Sequence, residues 1–406
     1  MPACARSKIV IEGEVGIYHC IARCVRQAFL CGIDEYTGKD FSHRKGIILA
    51  RMRELAGLFA IDVCGYSVMS NHLHLVLRTR PDLADQWSAE DIARRWCGIF
   101  PSHDDAGKPV EPGEHDLAMI TGNSERLAEL RKRLPSLSWF MRCLCEKVAR
   151  EANKEDKGSG RFWAGRFKSV ALLDEAAVLA CSVYVDLNPI RAKLVDTPEE
   201  SLYTSGRDRI RSMHGTSAEV PSQGQLSLPQ SLPRPDAWLC ELTIQEQAHD
   251  CYFNDQLAAG AMSHTLASDA VPTALPTAAV VAEAMTGAEH ADARPDVVAT
   301  AATAPLRLGV RASDQGFLPI STEQYIMLLD WTGRELRADK RGAIPEHLAP
   351  IMERLALNRS NWVETVSRFG ELFKQAAGRY SSLVGAAAKR SRHWFQGKAA
   401  AQAAFV

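Results

Sequence analysis

The amino-acid sequence predicts an α+β protein, and three observations lead to this prediction. Over residues 8–200, segments with strand-like patterns and segments with helical spacing of apolar residues follow one another. From residue 318 onward, only helical patterns occur. Between them lies a stretch that is rich in Ser, Pro, Ala and Thr and almost without aromatic residues. We therefore expect a domain at 1–210, a low-complexity, disordered linker at 211–317 and a helical C-terminal domain at 318–406.

The composition supports a folded protein. The 406 residues are 46% hydrophobic and 24% charged, values that exclude a wholly disordered, collagenous or coiled-coil chain. No stretch approaches the roughly 20 uncharged apolar residues that a membrane span needs, so we expect no membrane association. The first residues lack an apolar signal core, which predicts a cytoplasmic protein. Eleven cysteines without a paired CxxC set then indicate reduced thiols rather than a zinc site or disulfides.

The first predicted elements are a strand, a helix and a second strand. Residues 10–30 (VIEGEVGIYHCIARCVRQAFL) are typical of a strand or a strand pair. Residues 41–60 have helical spacing of apolar positions. These positions are Ile47, Ile48, Met52, Leu55 and Phe59. Residues 65–79 (GYSVMSNHLHLVLRT) alternate polar and apolar side chains and predict a strand that ends before Pro81.

The segment at 82–125 differs from its neighbours because it is polar and carries Pro101, Pro109 and Pro112. We expect an inserted surface loop here, with a helical part at 89–97.

The remaining elements are mostly helical. Residues 136–153 predict a helix, and residues 160–173 predict a strand or a hairpin arm. A further helix begins at Asp174 and ends near Pro189, because the residue before proline is disfavoured in the helical region. Residues 318–406 predict three or four short helices.

Charge is nearly balanced overall but unevenly distributed. The net charge is −1, yet residues 131–170 contain eleven Lys/Arg against four Asp/Glu, and residues 321–406 contain thirteen against eight. Local basic patches can bind phosphates even in a neutral chain. Within the C-terminal patch we hypothesise DNA contacts at Arg334, Arg337, Lys340 and Arg341.

The sequence Asn71-His72-Leu73-His74 is the sharpest chemical signal. On a strand, residues two apart point to the same face, so His72 and His74 would present two imidazoles side by side. Neutral imidazoles in this arrangement can hold a divalent metal. Taken alone, the motif is more often a pair of surface histidines than a metal site.

The second signal is Tyr184-Val-Asp-Leu-Asn188-Pro-Ile-Arg191. On a helix, Tyr184 and Asn188 are one turn apart and share a face, which Arg191 continues. A phenol can attack a phosphodiester and give a covalent phosphotyrosine when a metal polarises the phosphate. The alternatives are a packed tyrosine whose hydroxyl finds a partner and an asparagine that caps the helix.

In the third signal, basic and aromatic residues interleave between Gly160 and Lys168. Cationic side chains can neutralise phosphates while aromatic rings stack on unpaired bases. An amphipathic strand with its aromatic residues in the core is the alternative. The candidate DNA contacts are Arg161, Phe162, Trp163, Arg166, Lys168 and Arg191.

Several motifs in one order resemble the single-tyrosine HUH transposases. These motifs span residues 8–200, about half of the chain. In chain order they are GIYHCIAR, a helix, GYSVMSNHLHLVL, LSWFMRCLCEKVAREAN, GRFWAGRFKS and CSVYVDLNPIRAKLV. The resemblance is greatest to the REP-associated tyrosine transposases of bacteria. It implies a ferredoxin-like antiparallel sheet, with the histidine strand in the centre and the tyrosine on a helix.

The resemblance also implies an activity and its residues. His72 and His74 would be metal ligands, Tyr184 the nucleophile and Asn188 the third ligand, with Mg²⁺ or Mn²⁺ as the cation. The family cleaves single-stranded DNA near hairpins, forms a 5′-phosphotyrosine and a free 3′-OH, and rejoins strands by the reverse step. Its members act as dimers or as monomers, so the oligomeric state stays open. A cytoplasmic, nucleoid-associated protein is expected.

Two other functions compete with the transposase. The chain could be a non-catalytic, regulatory protein that binds DNA hairpins and derives from a transposase. It could also be an unrelated metal-binding or structural protein in which the histidine pair is coincidental. The separation of 110 residues between His74 and Tyr184 exceeds that of compact family members because of the insertion at 82–135.

Overall fold

The fold is built around a five-stranded sheet with helices packed against it, so the predicted α+β class is confirmed. The strands are β1 (Gly16–Arg23), β2 (Ile61–Val68), β3 (His72–Thr79), β4 (Lys168–Leu172) and β5 (Ala376–Ala377). Their spatial order is β2–β3–β1–β4–β5, with antiparallel pairing throughout except between β4 and β5. The first four strands follow the β-α-β-β-α-β chain order of ferredoxin-like folds.

The computed structural model describes most of the chain outside the central low-complexity stretch. The described residues are 8–25, 30–33, 38–215, 234–244, 310–337, 359–390 and 395–405. Most of the predicted disordered linker, 211–317, lies outside these ranges. Its described residues are 211–215, 234–244 and 310–317, and among them Trp238 and Phe317 are buried in the core, unlike residues of a disordered linker. The proposed domain boundaries stay predictions.

Helices make up most of the remaining described structure. They are α1 (His43–Leu58), α2 (Pro81–Gln86), α3 (Ala89–Ile99), α4 (Glu114–Thr121), α5 (Ser124–Arg133), α6 (Leu137–Glu155), α7 (Glu175–Asp186), α8 (Asn188–Arg191), α9 (Ser205–Met213), α10 (Thr322–Glu335), α11 (Arg359–Leu372), α12 (Tyr380–Lys389) and α13 (Lys398–Ala404). None of the described helices is both long and apolar enough to cross a membrane. The cysteines in the described residues are free thiols, and most of them are buried.

The prediction of a single strand at 65–79 is wrong, because this segment contains the end of one strand, a tight turn and the next strand. β2 ends at Val68 and β3 begins at His72. The backbone N–H of Met69 donates a hydrogen bond to the His72 carbonyl (2.9 Å). Ser70 and Asn71 occupy the turn, where residues of these types are favoured. The turn places His72 at the start of β3, an interior strand that lies between β2 and β1, whereas β1 is the middle strand of the five.

The prediction of a surface loop at 82–125 is also wrong apart from its helical part, because α2, α3 and α4 occupy most of this segment. A capping box begins α3: the Ser88 hydroxyl accepts from the Asp91 N–H, and the Asp91 carboxylate accepts from the Ser88 N–H. The helix buries Ile92 and Trp96, so amphipathic packing stabilises an insertion that looked polar in sequence.

The described C-terminal segments pack against the sheet domain. β5 extends the sheet beside β4, and the Arg78 side chain donates a hydrogen bond to the Gly316 carbonyl (2.7 Å). On α10, the Tyr325 hydroxyl donates to the buried Asp186 carboxylate (2.6 Å). Trp362 and Phe369 of α11 join the same hydrophobic core as β1 and β3. The C-terminal helices therefore contribute to the surroundings of α7.

Candidate active site

The two histidines of the His-Leu-His motif lie side by side on β3. Their ring centroids are 4.8 Å apart, with an angle of 73° between the planes. Leu73 and Leu75, which alternate with them, are fully buried and point to the other face of the sheet. His72 is half-buried and His74 is buried. The strand thus presents two imidazoles to one side of the sheet.

Hydrogen bonds hold both rings. His72 Nδ1 lies 2.6 Å from the Asn71 carboxamide oxygen, Oδ1. Because that oxygen can only accept, Nδ1 carries the proton and Nε2 of His72 keeps its lone pair. His74 Nδ1 lies 2.8 Å from Nε2 of a third histidine, His19 on β1. Each predicted ligand therefore has one ring nitrogen engaged by a neighbouring side chain, as is usual for histidines that bind metals.

Burial keeps the histidines of this site neutral. Desolvation, with a contribution from the Arg23 guanidinium, lowers the pKa of His72 to about 4. The pKa of His19 falls to about 3, mainly through burial, and that of His74 is well below its usual value for the same reason. Neutral imidazole is the form that binds metal ions. The site is consequently in its ligand-competent protonation state at neutral pH.

Tyr184 reaches this histidine cluster from α7. Its ring meets His74 edge-on, with centroids 5.6 Å apart and an angle of 83° between the planes. The distance from the Tyr184 ring to the His19 ring is 5.8 Å, again in an edge-on arrangement. The fold therefore brings together a tyrosine and a histidine that are far apart in the chain.

The local sequence explains how α7 is placed. The Asp174 carboxylate accepts a hydrogen bond from the Ala177 N–H (3.0 Å) and caps the start of the helix. The described residues of α7 from Ala176 onward are all buried, so the helix is fixed from every side. It ends at Asp186, and Pro189 lies in the first turn of α8. The predicted start at Asp174 is confirmed, and α7 does end before Pro189. Asn188 is nevertheless helical, as the first residue of α8, so Tyr184 and Asn188 lie on two successive helices and not on one.

Arg191 on α8 contacts both of the other predicted site residues from this motif. Its guanidinium lies 4.6 Å from the Tyr184 ring centroid, and its Nη1 donates to the Asn188 carboxamide oxygen (3.2 Å). Burial raises the pKa of Tyr184, whereas the Arg191 guanidinium opposes that rise. The cation thus favours the phenolate, which is the nucleophilic form.

The three predicted ligands of the cation differ in how many lone pairs they have to offer. His72 and His74 offer neutral imidazoles, but the Asn188 oxygen already accepts from Arg191 and has only one further lone pair. The Asn188 amide nitrogen is buried and has no hydrogen-bond partner among the described residues. Within those residues, no group of three or more His, Cys, Asp or Glu side chains could hold a metal. The set of His72, His74 and Asn188 stays a prediction.

The C-terminal helix α11 covers the tyrosine. The Phe369 ring lies 5.7 Å from the Tyr184 ring and 6.2 Å from the His19 ring, centroid to centroid. Gly370 approaches so closely that a Cβ atom there would lie 2.7 Å from the Tyr184 hydroxyl oxygen. Tyr184 is accordingly only 7% exposed. Sequence reasoning missed this cover because helical spacing in α11 does not reveal which element it packs on.

The basic and aromatic segment 160–168 divides into exposed cations and inward-facing rings. Phe162 is buried in the core. Trp163 is half-buried and donates its indole N–H to the Cys145 carbonyl (2.8 Å). Both rings match the core alternative that the sequence left open, since neither is free to stack on a base in this conformation. Of this segment, only Lys168 belongs to a strand, β4. The cations of the segment are all exposed; they are Arg161, Arg166 and Lys168.

Two residues of the site, Arg23 and His19, could not be assigned to it from the sequence. Arg23 lies directly opposite His72 in the β1–β3 pairing. His19 shares a sheet face with His74, because its neighbour Ile21 lies opposite His74 and alternate residues share a face. The alternation in Gly-Ile-Tyr-His-Cys-Ile-Ala-Arg could have shown that His19 and Arg23 share one face of β1. The sequence does not reveal the pairing register that places this face beside His72 and His74.

Comparison with known proteins gives little independent support. No family model and no curated protein matches the chain. A solved structure of a REP-associated tyrosine transposase bound to a REP hairpin is similar at a TM-score of 0.30 and 10% identity. The match covers 54% of this chain and 92% of that one. Similarity this low does not establish a family.

Proposed function

We propose that this protein is a metal-dependent transposase or endonuclease that cleaves and rejoins single-stranded, hairpin-associated DNA through a phosphotyrosine at Tyr184. One observation supports it above the others: the Tyr184 ring lies edge-on to His74, 5.6 Å away, beside the His72–His74 pair. A packed tyrosine needs no neighbouring pair of neutral imidazoles. A tyrosine nucleophile needs a metal-binding group within reach of the same phosphate.

The proposed reaction is an exchange of one phosphate ester for another. The Tyr184 oxygen attacks the phosphorus, the new O–P bond forms, and the bond from phosphorus to the 3′ oxygen breaks. The phenol loses its proton to solvent, and the departing 3′ oxygen gains one, so the step is balanced. A 3′-OH attacks the phosphotyrosine in the reverse direction and rejoins the strands without another energy source.

His72 and His74, with Asn188 as the proposed third ligand, would hold the cation. Mg²⁺ or Mn²⁺ bound there would neutralise the charge that develops on the phosphate. Arg191 acts on the nucleophile instead, because its guanidinium lies over the Tyr184 ring and counters the effect of burial on the pKa of the phenol.

The exposed cations would guide the DNA strand. Lys168 lies opposite Ile21 in the β1–β4 pairing, on the sheet face that carries His74, and Arg23 lies opposite His72. Arg161 and Arg166 lie on the adjoining segment, whose Ala164 N–H donates a hydrogen bond to the Arg23 carbonyl (2.8 Å). We call these four exposed cations, Arg23, Arg161, Arg166 and Lys168, the cationic rim. Such groups contact phosphates rather than bases and therefore contribute affinity without sequence specificity.

One observation favours a second function, a regulatory protein that binds DNA hairpins without cleaving them. Phe369 and Gly370 cover Tyr184, which leaves the phenol 7% exposed. A nucleophile must reach its phosphate, so cleavage requires α11 to move. A protein that only binds DNA needs no such movement.

The first prediction separates these two functions. The protein is mixed with labelled single-stranded hairpin DNA from the repeats that flank its gene, with Mg²⁺ or Mn²⁺, and run on a denaturing gel. We expect a covalent adduct that is lost in Tyr184→Phe and His72→Ala. Tyr380→Phe is the matched control, because Tyr380 is an exposed tyrosine on α12, and it should form the adduct like the wild type. Hairpin binding with no adduct under either metal would favour the regulatory protein.

A further inference from the structure

We propose that His19 is a positioning residue for the metal site, because it holds the His74 ring in the tautomer that leaves Nε2 free to bind the cation. This inference rests on the proposed function, which assigns His74 as a ligand. It concerns a residue on a different strand, outside the His-Leu-His motif. Its basis is one buried contact, between Nε2 of His19 and Nδ1 of His74 (2.8 Å).

The contact is fixed by the sheet. The β1–β3 register places Ile21 opposite His74 and His19 opposite Val76, so His19 and His74 are diagonal neighbours on one face. Their rings are nearly parallel, with 15° between the planes and 5.1 Å between centroids. His19 is 1% exposed and His74 is 3% exposed. Water does not compete for this hydrogen bond.

Only one proton can lie between these two nitrogens when both rings are neutral. If His19 donates it, the remaining proton of His74 is on Nε2, and His74 cannot use that atom as a ligand. If His74 donates it, Nε2 of His74 carries a lone pair. Since Nδ1 of His74 faces His19, Nε2 is the nitrogen left for a metal. Metal binding therefore requires His19 to be the acceptor.

His19 differs from the usual partner of such a ligand. A carboxylate or a backbone carbonyl commonly accepts the second N–H of a metal-bound histidine, and here a neutral imidazole does so. The other His19 nitrogen, Nδ1, is buried without a hydrogen-bond partner among the described residues. A leucine would fill this buried space at lower cost, so an imidazole with an unused nitrogen is better explained by its contact with His74.

The test is the affinity of the full-length protein for Mn²⁺ without DNA, measured by calorimetry. His19→Leu removes the acceptor and keeps apolar volume, whereas His19→Gln retains an acceptor of similar reach. We expect His19→Leu to weaken Mn²⁺ binding by about 10- to 100-fold, the usual effect of losing an outer partner. His19→Gln should stay within a few-fold of the wild type, and His74→Ala confirms that the titration reports this site.

The second readout is the tautomer of His74 in the wild type, from nitrogen chemical shifts of the Mg²⁺-loaded protein with labelled histidine. We expect the proton on Nδ1. Equal Mn²⁺ affinity in the wild type and His19→Leu would overturn the inference, as would a proton on Nε2 of His74 or no Mn²⁺ binding by the wild type. The tautomer decides the question if His19→Leu fails to fold. The DNA adduct is measured separately, so the inference can fail while the tyrosine mechanism stands.

Discussion

At the scale of single residues, the site depends on how burial and charge act on each titratable group. Burial favours the neutral form of a histidine, which helps His72 and His74 as ligands. The same burial favours the neutral phenol of Tyr184, which hinders it as a nucleophile. Arg191 is the one cation whose guanidinium stacks on that ring among the described residues.

We expect Arg191→Gln to raise the pKa of Tyr184 and to move the pH profile of adduct formation towards higher pH. Below the pKa, the phenolate fraction falls about tenfold for each unit by which the pKa rises, so the variant should be slow at neutral pH and recover in alkaline buffer. Arg191→Lys keeps the charge and serves as the control. The measurement is the initial rate of adduct formation across pH, and superimposable profiles for wild type and Arg191→Gln would contradict this role.

At the scale of elements, β3 and α7 form the site and α11 closes it. Phe369 packs against the Tyr184 ring, whereas Phe373 packs against Phe369 and Phe405 in the same layer. Both phenylalanines are buried. Only one of them touches the proposed nucleophile, so the two positions offer a matched pair of substitutions.

If α11 must move before DNA reaches Tyr184, Phe369→Leu should speed adduct formation several-fold. The smaller side chain costs about 1 kcal/mol of unfolding free energy and loosens the contact that covers the phenol. Phe373→Leu should lower the unfolding temperature similarly and leave the rate unchanged. The comparison needs adduct kinetics and thermal unfolding of both variants. Equal acceleration in both would attribute the effect to general loosening rather than to uncovering of Tyr184.

The elements also show where sequence reasoning succeeds. The ends of α7 were predictable because Asp174 caps its start and Pro189 constrains its end. Alternation along β3 placed His72 and His74 on one face. The turn at Met69–Asn71 was missed because the apolar Met69 continues the strand-like pattern into it. The local sequence pattern does not show which distant strands pair with each other. The contact between His19 and His74 could therefore be found only from the structure.

At the scale of the whole molecule, the charge count misled in one respect. The eleven cations of residues 131–170 suggested a basic surface, but on α6 many are paired within the helix. Arg142 and Arg150 pair with Glu146, and Lys147 pairs with Glu151. The four cations of the segment that follow α6 have no ion-pair partner among the described residues; they are Lys157, Arg161, Arg166 and Lys168. A cation already paired with a carboxylate has less to offer a phosphate.

Replacing Arg161, Arg166 and Lys168 together by Gln should therefore weaken binding to single-stranded DNA more than replacing Arg142, Lys147 and Arg150 by Gln. Both variants lose three positive charges, so a difference reports the position of the charge and not its amount. For single strands, log affinity falls against log salt with a slope of about −0.7 per phosphate neutralised, and the first variant should lose about two units of slope if all three cations contact phosphates. Fluorescence anisotropy with a labelled strand gives both the affinity and its salt slope when it is measured from roughly 50 to 300 mM salt, the range in which such contacts weaken. If the two variants had the same affinity and slope, DNA would be held by the α6 surface as much as by the cationic rim.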